Sequence, residues 1–194
     1  MEKKTFKYTT GFTVLELIVS IGIFAFMTAL LLARYGNFNQ GVLLNNLAYD
    51  IALTIRNAQS YGLNVKSATR SSNDFQYPYG VHFDSRSGSN NRFLFFTDID
   101  NNGIYTVSAD KVIATTTITR GSRISNLYIN NDKTVNLNSL SVTYKRPDPN
   151  SIIKTNGNSS LSYPNAQIRV MAADGTYRDI NVSSVGQISV IPVI

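Results

Sequence analysis

The sequence predicts an α+β protein. A long N-terminal α-helix, apolar in its first half and amphipathic in its second, packs on an antiparallel β-sheet or a two-sheet globular domain. Three observations predict it. Residues Phe12 to Ala33 form an apolar run with a single charge, Glu16. Leu44, Leu47, Ala48, Ile51, Ile55 and Ala58 then recur at the i, i+3, i+4 spacing of one helical stripe. Past Gly62 the pattern changes to short β-type runs separated by Gly, Asn, Asp and Pro. Charged residues make up only 15% of the chain, and Ser, Thr and Asn are plentiful, which suits a β-rich domain better than a helical bundle.

The apolar run comes first. At ~1.5 Å per residue it reaches about 33 Å as a helix, enough to cross a hydrocarbon core of about 30 Å. Lys3, Lys4 and Lys7 precede it, which predicts a cytoplasmic N-terminus and a C-terminal domain outside the membrane. The run is longer than the apolar core of a secretory signal peptide (roughly 7–15 residues), and no A-x-A pattern follows it.

Glu16 needs a reason, because a carboxylate in a membrane span is costly. One reading is local: Thr13-Val14-Leu15-Glu16 fits a capping box, and a negative charge suits a helix N-terminus. A second comes from the residues around it. In "KYTTGFTVLELIVSIGIF", residues 7–24, Gly11-Phe12 follows a short basic, polar leader, and Glu16 is the fifth residue counted from Phe12. This arrangement closely resembles the class III leader of type IV pilins and type II secretion pseudopilins. The resemblance implies that prepilin peptidase, a membrane aspartyl enzyme, cuts between Gly11 and Phe12 and methylates the new N-terminus at Phe12. It implies the inner membrane and other pilin or pseudopilin subunits as partners, the latter through the N-terminal helix. Cleavage would create an α-amine within about one helical turn of Glu16. In a filament, Glu16 of one subunit can face the amine of a neighbour. Opposite charges attract strongly at low dielectric, and either one left alone there is expensive.

On this resemblance the chain divides into a leader at 1–11, a transmembrane or filament-core helix at 12–34, a helix continuation docked on the head at 35–62, and a β-rich head at 63–194. Gly36 and Gly41, in "YGNFNQG", each cost about 1 kcal/mol relative to Ala inside a helix. They either break the helix at the membrane surface or leave it a soft segment. A helix running through to Tyr61 would reach about 75 Å, the long helix of the pilin architecture, with Gly62 as its C-cap. Within it, Leu47-Ala48 and Arg56-Asn57-Ala58 resemble the helix of the GspH/FimT minor pseudopilin group, and "YGVHFD", residues 79–84, resembles that group's first strand.

In the head, strands are predicted at 77–84, 92–97, 104–107, 111–119, 123–130, 134–145, 151–155, 166–173, 176–182 and 187–193. Asn102-Gly103 and Asp174-Gly175 are hairpin signals, while 146–150 and 156–165 read as loops. Val112, Ile118, Ile168, Val170, Ile180, Val182, Ile188 and Val190 are predicted core residues.

Catalytic chemistry is scarce. The chain has no cysteine and one histidine, His82, expected at a surface or an interface and pointing opposite to Val81 and Phe83. No nucleophile-elbow or phosphate-loop pattern occurs, so no enzyme activity is expected. Asp98, Asp100, Asn102 and Gly103 match the opening of a calcium loop, but the acid due at its twelfth position falls on Ala109, with Asp110 one step later. Two readings stay open here: a looser calcium site formed by Asp98, Asp100, Asn102 and Asp110, or a polar turn held by Asx hydrogen bonds. The net charge is +6, of which the leader holds +2, and the remaining Lys and Arg residues are scattered. Lys145, Arg146 and Lys154 could gather at one loop, which keeps a DNA-binding minor pilin of a competence pilus as the alternative to a structural subunit.

Overall fold

The computed structural model describes residues 11–64, 77–156 and 160–191. The leader up to residue 10, including its three lysines, lies outside the described residues. The chain divides into two compact units, Met1–Asn39 and Gln40–Ile194. One helix, α1 (Val14–Leu63), contributes to both, and it is helical through Gly36 and Gly41. Neither glycine breaks it.

In the first unit, Val14–Leu32 has a mean hydropathy of 2.4 and none of it is buried. Phe12, Leu15, Phe24 and Leu31 are all more than two-thirds exposed. That much bare apolar surface calls for apolar surroundings. By length and composition this segment can cross a membrane or serve as a signal sequence.

The second unit carries nine strands among the described residues: β1 (Tyr79–Asp84), β2 (Arg92–Thr97), β3 (Lys111–Thr117), β4 (Arg123–Ile129), β5 (Ser139–Tyr144), β6 (Ser151–Lys154), β7 (Asn165–Met171), β8 (Tyr177–Ser183) and β9 (Ile188–Ile191). They form a five-stranded sheet in the order β3-β2-β1-β5-β6 and a four-stranded sheet in the order β4-β7-β8-β9. Every pairing is antiparallel. The protein is therefore α+β with two sheets, as the alternating runs predict.

The predicted helical stripe is one wall of the core. Leu44, Ala48, Ile51, Ile55 and Ala58 are buried in one cluster with Val81, Phe83, Leu140 and Val142 of the first sheet and Ile168, Val170, Ile180 and Val182 of the second. Each fully buried aliphatic side chain of Val, Leu or Ile size contributes about 1.5–3 kcal/mol, so this wall holds helix and sheets together.

Several expectations are corrected. Residues 104–107 are not a strand, because their backbone donors are satisfied by side chains. The Ile104 N–H donates to Asn102 Oδ1, that of Tyr105 to Ser141 Oγ and that of Thr106 to Asp110 Oδ2. Asn102-Gly103 accordingly sits inside a long connection between β2 and β3 and does not form a two-residue hairpin. Residues 134–138 also stay outside the sheets: Thr134 N–H turns back onto Asp132, and Asn136 offers its side-chain oxygen to Leu127 N–H. Asp174-Gly175 does turn a hairpin, between β7 and β8, with Gly175 at a φ of 87°. Val112 is 37% exposed because β3 is an edge strand, exposed along its whole length. The other predicted core positions are buried, with Val190 half-buried. Gly62 is not a C-cap, since α1 runs one residue beyond it and its φ is not positive. It lies instead against the backbone of Tyr144 on β5.

Candidate functional site

Residues 98–110 leave β2 and return to β3 across the outer face of the five-stranded sheet. β1 and β5 are buried at every position. Their inner residues face the core, and of their outer residues His82 and Ser141 lie under this connection. Tyr105 packs its ring on His82 (5.2 Å between centroids) and on Phe96 (5.3 Å). Lys154 on β6 donates from Nζ to the Asn102 carbonyl at 2.8 Å.

The connection gathers the acids singled out from the sequence. Carboxylate oxygens of Asp98, Asp100 and Asp110 lie within 4.8 Å of one another. Asp110 reaches in because a turn at 106–110, with the Ala109 and Asp110 N–H groups both donating to the Thr106 carbonyl, carries it past the position that Ala109 fills. Asp98 accepts from the N–H groups of Asn102 (3.2 Å) and Gly103 (2.8 Å), and Asp110 from those of Ile99 (2.9 Å) and Thr106 (2.7 Å). Asn102 donates its side-chain amide to Asp100 at 2.7 Å. These are the bonds of an Asx-held turn. A carboxylate oxygen has a second lone pair, so the same acids retain acceptor capacity for a cation.

Asp98 is 1% exposed. Burial pushes its carboxyl up to about 6, and the neighbouring Asp110 and Asp100 act in the same direction. Burial raises Asp110 as well. The folded protein therefore holds a proton on Asp98 that the unfolded chain has already lost. In chelator, thermal stability is expected to fall as the pH rises from about 4 to about 6, by about 1 kcal/mol once solvent screening is allowed for. Asp98→Asn should flatten that slope. A melting temperature that millimolar calcium raises at pH 7 but not at pH 4 would identify a cation site; an unmoved one leaves the turn alone.

His82 lies where the strand alternation puts it, opposite Val81 and Phe83, but it is not a surface residue. It is 7% exposed, because Tyr105 covers it. Strand periodicity shows only which face a residue takes. Whether a connection elsewhere in the chain covers that face is not written in the strand. The Tyr105 N–H donates to Ser141 Oγ at 3.2 Å, and Ser141 Oγ lies 2.9 Å from His82 Nδ1. Burial lowers the imidazole to about 4, so it is neutral at pH 7. Ser141 is wholly buried, and this pair orders the imidazole; it does not present a nucleophile to solvent.

Beside His82 opens a cavity of about 220 Å³, walled by Asp84, Arg86, Arg92, Leu94, Tyr105 and Val107 among others. Arg86 pairs with Asp84. Although partial burial raises the Asp84 carboxyl, the hydrogen bonds and charge of Arg86 outweigh that and hold it below its ordinary range. The cavity was not legible in the sequence, because its walls come from β1, β2 and the covering connection.

The basic residues considered for DNA do not gather. Lys145 and Arg146 follow β5, whereas Lys154 ends β6, paired with Ser141 three steps along the ladder and engaged with the connection.

At the helix start, Thr13 occupies the N-cap position. Its Oγ1 accepts from the Glu16 N–H at 3.3 Å, and its hydroxyl reaches Glu16 Oε2 at 3.4 Å. The Leu17 N–H donates to the Thr13 carbonyl at 3.1 Å. The N-cap half of the predicted capping box is present, and the Glu16 carboxylate meets the Thr13 hydroxyl, not its backbone N–H. Among the described residues Glu16 forms no ion pair. Phe12 is 71% exposed, and Gly11 has open space where a side chain would stand. Comparisons of the chain with protein-family models, with curated proteins and with solved structures find no match.

Proposed function

We propose that this protein is a structural filament subunit, a minor pilin or pseudopilin of a type IV pilus or type II secretion machine, most like the GspH/FimT group. The observation that carries this reading is the start of α1. An exposed Gly11-Phe12 precedes a capped helix whose apolar surface is bare, and the one acid in that surface lacks a cationic partner among the described residues. In this reading the basic leader stays in the cytoplasm and α1 holds the chain in the inner membrane. Prepilin peptidase then cuts after Gly11 and methylates Phe12, and the subunit polymerises through α1. The β-rich unit is displayed outside the membrane. No catalytic role and no cofactor is assigned to it.

Mass spectrometry of the chain from cells that contain the peptidase tests this. The expected mature N-terminus is Phe12 carrying one added methyl group. An intact Met1 in such cells would make the segment a plain membrane anchor, and a cut elsewhere in the helix would make it a secretory signal.

A further inference from the structure

We propose that the cavity beside His82 is a binding site for a carboxylate carried on an apolar group. The inference does not depend on the filament reading. Three features of the cavity lead to it.

The first is a fixed donor. Ser141 Oγ accepts the Tyr105 N–H and lies 2.9 Å from His82 Nδ1, which pins the ring through that nitrogen. With the Ser141 hydroxyl donating to Nδ1, the neutral imidazole carries its proton on Nε2. That N–H has no partner among the described residues, although the side chain is 7% exposed and lines the cavity. It is therefore open to an acceptor that enters the cavity.

The second is charge. Arg86, Arg92 and Asp84 all line the cavity, which leaves one net positive charge. Arg86 is held by Asp84, while Arg92 makes no ion pair among the described residues. A monoanion balances this set and can accept from Arg92 and Nε2 together. A dianion or a polyanion would leave its excess negative charge beside Asp84.

The third is the remaining wall. Besides Ser89 and Asn156, it consists of Leu94, Val107 and Tyr105, which offer apolar contact to a short aliphatic substituent next to the carboxylate. At about 220 Å³ the space fits a small group, such as an aliphatic acid or the terminal residue of a peptide chain.

The chain has one histidine, so imidazole NMR signals report this site alone. The full-length protein in detergent at pH 7 is titrated with isovalerate, its neutral amide isovaleramide, N-acetylleucine and inorganic phosphate. Isovalerate or N-acetylleucine is expected to shift the His82 signals saturably in the millimolar range, with isovaleramide and phosphate at least fivefold weaker. Tighter binding of N-acetylleucine identifies a chain terminus as the source of the carboxylate; tighter binding of isovalerate identifies a free acid. Arg92→Gln, at an exposed position, is expected to leave the unliganded His82 signals in place and weaken the carboxylate about tenfold. Equal binding of the amide or of phosphate would overturn the assignment, as would no saturable shift with either acid or unchanged affinity in Arg92→Gln.

Discussion

Replacing Glu16 by glutamine is expected to leave the chain inserted in the membrane with its helix start intact, and to remove it from filaments. Glutamine can serve at the third helical position of a capping box as glutamate does. The contacts of Glu16 with Thr13 are the only hydrogen bonds its backbone N–H and carboxylate make among the described residues. The substitution therefore deletes the charge and spares the cap. If the partner of that charge is the α-ammonium of Phe12 in a neighbouring subunit, the ammonium is left alone in an apolar setting. Removing one member of a buried ion pair costs about 3–5 kcal/mol, a hundredfold or more in subunit association. The measurement is the fraction of chain recovered in sheared filaments relative to membranes. Glu16→Ala should behave at least as badly, since it also loses the side-chain contact with the Thr13 hydroxyl. Unchanged recovery for both variants would leave the acid with a capping role alone and remove the proposed assembly role.

The largest stability effect is expected at Gly62. A methyl group there would stand 2.8 Å from Tyr144 Cβ and 2.9 Å from the Tyr144 carbonyl carbon. Neither atom is the free end of a flexible side chain, so helix and strand have to separate. Overpacking of this kind costs about 1–3 kcal/mol, and the better helix propensity of alanine returns about 1 kcal/mol. Because the obstruction is partly backbone, we expect the upper end: a net loss of about 2 kcal/mol for Gly62→Ala, or roughly 5–8 °C in melting temperature. Gly41 supplies the control in the same helix. Nothing lies within 4 Å of the position its Cβ would take, so Gly41→Ala should stabilise by about 1 kcal/mol. If both substitutions moved the melting temperature the same way, close approach to Tyr144 would not be the reason for Gly62.

Much of the architecture was legible before folding. The apolar run, the stripe from Leu44 to Ala58 and the β-type runs each express a local rule: side chains repeat at 3.6 residues per turn in a helix and at two in a strand. The acid cluster was half legible. Asp98, Asp100 and Asn102 stand at regular spacing, but Asp110 joins them only through the turn at 106–110. Residues 104–107 looked like a strand because their composition suits one. Their donors instead meet Asn102, Ser141 and Asp110, and Ser141 is distant in the chain.

By itself, then, the sequence determined the helix, its capped start, the division into an apolar segment and a β-rich unit, and most of the core. These follow from periodicity and capping, which act over a few residues. Only the tertiary structure decided that Tyr105 buries His82, that a charged cavity opens beside it, that β3 stays exposed at an edge, and that Gly62 stands where β5 passes. Each of these depends on which distant segment comes to lie against a given face, and that is settled by how the whole unit closes its core.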